Sequence, residues 1–238
     1  MTMQNYPLPL EGLETVIGYA FRDPNRLVLA LTHSSYCNEC KAKEGKTACN
    51  ERLEFLGDSV LSFVTSRYLY ETYPDLPEGR LSPIRAKAVC EKTLCKLAKE
   101  IALGDYLFLG HGEEHTQGRK RPSILADAFE ALLAALYLDG GIKPVKDFLL
   151  PRITKEIDAI VTSGADLDYK TALQQVIQQE RGEVLEYVTV AESGPAHQKV
   201  FTVEARLNGK VLGSGSGSSK RAAEQCAAKE ALKLFGME

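Results

Sequence analysis

Asn50-Glu51-Arg52-Leu53-Glu54-Phe55-Leu56-Gly57-Asp58-Ser59-Val60-Leu61 has the pattern of a buried helix interrupted by acid. Leu53, Leu56, Val60 and Leu61 recur at helical spacing. Asn50 stands where an N-cap belongs, and no proline intervenes before Pro74, so a helix is predicted from Asn50 to about Tyr73. Glu54 and Asp58, four residues apart, share one face of it. A second stretch, Ser123-Ile124-Leu125-Ala126-Asp127-Ala128-Phe129-Glu130-Ala131-Leu132-Leu133, carries Asp127 and Glu130 three apart in a helix that is apolar almost all round. Like charges so spaced weaken an isolated helix by about 0.2–0.5 kcal/mol, and burying an unpaired carboxylate costs far more. An acidic pair at helical spacing is ordinarily a solvated face, and Glu54 with Asp58 alone would be read that way. The apolar surround of Asp127 and Glu130 changes the reading to four buried carboxylates, two from each helix, meeting at one point and neutralised by a cation. With no histidine pair beside them, these oxygens suit a hard ion, Mg²⁺ or Mn²⁺, and such a site serves phosphate chemistry.

The 238 residues allow one large domain or two ordinary ones, and 44% hydrophobic with 26% charged residues is a globular composition. A net charge of −3 argues mildly against a nucleic-acid partner, so any such partner needs a local basic patch. Met1–Glu14 lacks a basic run followed by an apolar one, and Asp127 and Glu130 interrupt the longest apolar helix, so the chain reads as cytoplasmic with no membrane partner. The six cysteines then read as free thiols. Cys37-x-x-Cys40 with Cys49 and His33 falls short of a zinc site, because the second close pair is missing, and Cys37 to Cys49 reads as a loop.

The first part of the chain predicts six or seven helices. Asp23-Pro24 is a start signal, Ser82-Pro83 is read as another for a helix to about Glu100, Ser123 opens a helix closed by Gly140-Gly141, and Pro144 starts the last, which Pro151 bends. Around Thr162–Asp168 the apolar periodicity stops. Beyond it Tyr169–Glu180 is helical, Val184–Val190, Lys199–Leu207 and Lys210–Ser216 are strands, Asn208-Gly209 is a hairpin turn, and Ser218–Phe235 is a long helix. The fold class is therefore multidomain, α and α+β: an all-α domain over residues 1–161, a linker over 162–167 and a small α-β-β-β-α domain over 168–238.

Asn50 to Leu61 resembles the signature of the ribonuclease III family nearly residue for residue. Thr32-His33-Ser34-Ser35-Tyr36, Asn38-Glu39, Glu78-Gly79-x-Leu81-Ser82 and Ser123 to Ala131 resemble it too. The resemblance implies a helical endonuclease domain acting as a homodimer, each subunit's metal site cutting one strand of double-stranded RNA. It implies 5′-phosphate and 3′-hydroxyl ends with short 3′ overhangs, and ribosomal, messenger and other structured RNAs as substrates. It implies Glu54, Asp127 and Glu130 as metal ligands, Asp58 and Glu130 as the acids most needed for cleavage, Glu51 and Glu78 as supporting acids, and Phe55 as an aromatic that enters the partner subunit. For Phe55 an ordinary core position is the alternative. The stretch Cys37 to Cys49 is longer than the family pattern.

Asp168 to Gln175, Gly194-Pro195-Ala196-His197 and Gly217 to Gln225 together resemble the double-stranded-RNA-binding domain. Duplex RNA is read by shape, phosphates and 2′-hydroxyls. Ser219, Lys220 and Arg221 place a helix N-terminus and two cations together, an anion site that supplies the local patch. Gln174 and His197 suit two successive minor grooves. A duplex-RNA-binding scaffold without catalysis is the competing reading, and intact acids at all four positions speak against it.

Overall fold

In the computed structural model the backbone is described over residues 7–44, 48–163, 169–177, 184–195 and 198–236, and side chains over the same residues except 40–44 and 175. The chain divides into two compact units, Met1–Asp166 and Leu167–Glu238. The α-helices of the first are α1 (Leu10–Ile17), α2 (Pro24–Ala30), α3 (Ser34–Glu44), α4 (Glu51–Thr72), α5 (Glu78–Ala88), α6 (Glu91–Glu100), α7 (His111–His115), α8 (Pro122–Gly140) and α9 (Ile142–Ser163), with short 3-10 turns at Leu103–Tyr106 and Gly118–Lys120.

Helix α8 is the centre of this unit. Ala128, Phe129 and Ala131 to Leu136 are all fully buried, because α8 packs against α2, α4, α6 and α9 at once. Its alanines let neighbours approach closely while Phe129 and the leucines fill the spaces between. Pro122 occupies its first position, where a missing N–H costs nothing. At its far end Asp139, with a side chain 2% exposed, accepts from Tyr19 Oη and the Arg22 N–H at 2.8 Å each and from the Asp23 N–H at 3.2 Å, with Arg26 Nε 3.7 Å away. Burial alone would push this carboxyl up; the donors outweigh it and hold its pKa below the usual range. Stability so gained is present above the ordinary carboxylate pKa and is lost as pH falls through the lowered value. Replacing Asp139 with Ala orphans these donors and is expected to cost about 3 kcal/mol in chemical denaturation at pH 7.

Several sequence expectations need correction. Ser82-Pro83 does not open a helix to Glu100. Helix α5 starts at Glu78 and runs through Pro83, held by burial of Ile84 and Ala88, and the chain breaks at Val89-Cys90 before α6. Tertiary burial outweighs the lost proline donor there. Helix α9 starts at Ile142, with Pro144 in its first turn, and continues past Pro151 to Ser163. Asn50 precedes α4 without capping it; its amide donates to the Ala30 carbonyl instead, at 3.2 Å. The segment after Cys37 is not a loop up to Glu44 but the end of α3. Cys37 is buried and its thiol donates to the Ala48 carbonyl at 3.0 Å; the Cys40 side chain lies outside the described residues.

The second unit holds α10 (Tyr169–Ile177), β1 (Leu185–Ser193), β2 (Val200–Leu207), β3 (Lys210–Gly217) and α11 (Lys220–Lys233), with an antiparallel sheet in the order β1-β2-β3. Asn208 and Gly209 both have positive φ, 49° and 84°, as a tight hairpin turn requires. Its core is Leu173, Ile177, Val203 and Ala205 with Ala223, Ala227, Ala228 and Ala231 of α11. Gly213, Gly215 and Gly217 lie against that helix so closely that a Cβ on them would fall 2.5 Å from Ala231 N, 2.3 Å from Ala227 N and 2.7 Å from Ala223 N. The glycine-serine run is thus the surface on which α11 rests, and it fixes where the start of that helix sits.

Candidate active site

Helices α4 and α8 touch at one point of bare backbone. A Cβ on Gly57 would lie 1.9 Å from the Glu130 carbonyl oxygen, so only glycine lets the two axes come this close. The joint carries Glu54 and Asp58 on one side and Asp127 and Glu130 on the other. Burial pushes the Glu130 carboxyl up, and Asp58, Glu54 and Asp127 push it further, to about 7. Glu54 is raised by burial, then by Asp127 and Glu51. Asp127 is also raised by burial; His33 opposes that shift and Glu91 adds to it. Each of the other three acids thus acts electrostatically on Glu130 at the joint.

They are less deeply placed than the sequence suggests. Glu54, Asp127 and Glu130 are half-buried and Asp58 is exposed. Charged groups settle at the rim of a core where water still reaches them. Among the described residues none of the four is ion-paired, and no three His, Cys, Asp or Glu are gathered closely enough to hold a metal ion as they stand. Mutual repulsion opposes a tighter gathering of bare carboxylates, and the all-oxygen donor set fits a hard divalent cation.

Two neighbours were missed at sequence level. Glu91, the first residue of α6, sits in an ordinary surface-helix pattern and joins the site only because α6 packs on α8. His33 acts electrostatically on Asp127 from the segment where Thr32 pairs with Phe108; its Nδ1 lies 2.8 Å from Ser35 Oγ. Of the supporting acids, Glu51 is exposed and adjoins Glu54. Glu78 stands apart: it accepts from Ser82 Oγ at 2.6 Å and lines a hollow of about 370 Å³ with Tyr70 and Arg85. Phe55 is 78% exposed, which removes the core alternative; Phe63 and Tyr70, 57% and 75% exposed, lie further along α4.

In the second unit Ser219 caps α11, its Oγ accepting from the Ala222 N–H at 3.2 Å. Lys220 and Arg221 are exposed beside it, and Gln174 is half-buried on α10. His197 lies outside the described residues. Among the described residues no helix is long and apolar enough to cross a membrane.

The family model described as "Ribonuclease-III-like" matches residues 23–157, and that described as "Double-stranded RNA binding motif" matches residues 169–234. A Ribonuclease 3 of Desulforamulus reducens is 48% identical over 227 residues, spanning 94% of this chain and 91% of its own. Another, of Caldanaerobacter subterraneus subsp. tengcongensis, is 48% identical over 228 residues, spanning 96% and 99%. Among solved structures, a nuclease domain of ribonuclease III from Campylobacter jejuni, whose description concerns flexibility in a region involved in dimer formation, superposes with a TM-score of 0.56 at 40% identity, covering 62% of this chain and 98% of that one. The chain belongs to the ribonuclease III family.

Proposed function

We propose that the chain is a divalent-metal-dependent endoribonuclease specific for double-stranded RNA. The observation that carries this reading is the electrostatics of Glu130: three further acids from two helices bear on one carboxyl at the Gly57 joint, and none of them is ion-paired among the described residues. Glu54, Asp127 and Glu130 would hold Mg²⁺, with Mn²⁺ as a substitute, and Asp58 and Glu130 are the acids on which cleavage depends most. A cation bound there supplies an activated water and offsets charge developing on the phosphate. The chain's own part is to hold four oxygen donors at one rim, where burial and the neighbouring acids push the Glu130 carboxyl up to about 7; because ligand oxygens must be deprotonated, cation binding would tighten as pH rises. Glu51 and Glu78 have supporting roles. A scaffold reading leaves this mutual repulsion without purpose.

The exposed Phe55, Phe63 and Tyr70 of α4 favour a homodimer through this face, with Phe55 entering the partner. Ser219, Lys220 and Arg221 at the start of α11, with Gln174 and His197, hold the duplex. The products carry 5′-phosphates, 3′-hydroxyls and short 3′ overhangs, and the substrates are precursors of ribosomal RNA and other structured RNAs in the cytoplasm.

Incubating the purified chain with a labelled RNA duplex and the matching single strand, with and without Mg²⁺, tests the reading. Only the duplex with Mg²⁺ is expected to yield discrete products. Equal cutting of the single strand, or cutting of the duplex in EDTA, overturns it.

A further inference from the structure

The register of the sheet in the second unit sets out a row of partners. Glu192 near the end of β1 lies opposite Phe201 of β2, and Phe201 lies opposite Gly217 at the end of β3. Three residues beyond Gly217 is Lys220, the first residue of α11. This row brings two cations onto one carboxylate. Lys199 Nζ is 2.5 Å from Glu192 Oε2, while Lys220 Nζ is 3.7 Å from Glu192 Oε1. Both ammonium groups stand over the Phe201 ring, at 5.3 and 5.8 Å from its centroid. The partnership is unequal: Lys199 is held at hydrogen-bond distance and Lys220 is not.

We infer that Glu192 acts as an electrostatic brake on duplex binding, neutralising Lys199 at hydrogen-bond distance and holding Lys220 more loosely at 3.7 Å, so that Lys220 can exchange the carboxylate for a phosphate. The inference rests on the reading of this surface as the one that faces RNA. An exposed ammonium beside a polyanion gains by releasing counterions, whereas one already paired with a carboxylate has none to release. Lys199 is therefore a latent phosphate contact, and Glu192 adds a negative charge where phosphates would lie. The carboxylate stays ionised, since the hydrogen bond from Lys199 and the charges of both lysines hold its pKa below the usual value. The Phe201 ring lies under both ammonium groups and adds a cation–π attraction that keeps them beside the carboxylate.

The test measures binding of the full-length chain to an RNA duplex of about 16 base pairs, the span of one such domain, in EDTA so that no strand is cut, over a series of salt concentrations. Glu192→Gln is expected to bind about five- to tenfold more tightly near 0.1 M salt and to steepen the salt slope by about one phosphate contact. Lys199→Ala alone is expected to change affinity by no more than about twofold, as for removal of an already paired surface charge. Adding Lys199→Ala to Glu192→Gln should abolish the gain. Unchanged or weaker binding by Glu192→Gln overturns the inference, as does a Lys199→Ala loss as large as that of Lys220→Ala. A Lys220→Ala, Arg221→Ala double variant separates the two levels. If it binds as the parent does, the surface does not face RNA and the brake falls with that reading; if it binds weakly while Glu192→Gln changes nothing, the brake alone is wrong.

Discussion

Glu130→Gln is expected to stop duplex cleavage while making the nuclease unit harder to unfold. The two effects have one origin. The Glu130 carboxyl titrates at about 7 in the folded chain, against about 4.3 when unfolded. Below pH 4 the group is neutral in both states and costs nothing. Between pH 4 and 7 the unfolded chain ionises first, so folding loses stability; above 7 the loss is complete. The half-buried position admits screening, so the loss is about 1–2 kcal/mol rather than the full value of the shift. Glutamine removes it. Without divalent metal, the variant should melt about 2–6 °C higher at pH 8, and the difference should vanish toward pH 4. Cleavage in Mg²⁺ should fall about a thousandfold or more, with duplex affinity retained, because a metal-holding, charge-compensating group supplies several kcal/mol to the reaction. A variant that cuts normally, or that is less stable than the parent at pH 8, would contradict the assignment of Glu130.

The second large effect is a reversal of sign. In an exposed helix, Gly→Ala is favourable by about 1 kcal/mol. At Gly57 the new methyl would lie 1.9 Å from the Glu130 carbonyl oxygen and 2.4 Å from its carbon. Backbone cannot turn aside as a long side chain can, so α4 and α8 must separate. Gly57→Ala is expected to lose about 2–3 kcal/mol in urea denaturation and to lose cleavage as well, since both pairs of acids depend on this joint. A stabilising Gly57→Ala would mean that the helices do not touch there.

Much of this site was legible in the sequence because its acids break a rule. Glu54, Asp58, Asp127 and Glu130 stand in helix patterns where neither propensity nor burial explains them, and conflict of that kind is visible in one dimension. Their depth was not legible. Helical periodicity tells which face an acid shares, not how far that face lies from the rim, and Asp58 proved exposed. Glu91 and His33 break no local rule; packing of α6 on α8 and the pairing of Thr32 with Phe108 bring them in. In the fold, Asp23-Pro24 and Asn208-Gly209 were read correctly because backbone geometry at such positions is nearly local. Ser82-Pro83 misled because burial of Ile84 and Ala88 overrides it. The run from Gly213 to Gly217 falls at the end of the predicted third strand without any sign of its role, since the need for bare backbone arises only when α11 lies down on it.

That run has a further property. Its three glycines follow the pleat of the strand and meet Ala231, Ala227 and Ala223 in turn, like three cuts in one key. Sliding β3 by two positions would bring Val211 or Ser219 into a cut with no room for a Cβ. The strand is thus indexed twice, by the Asn208-Gly209 corner at one end and by these cuts along its length, and the cationic tip of α11 inherits both settings.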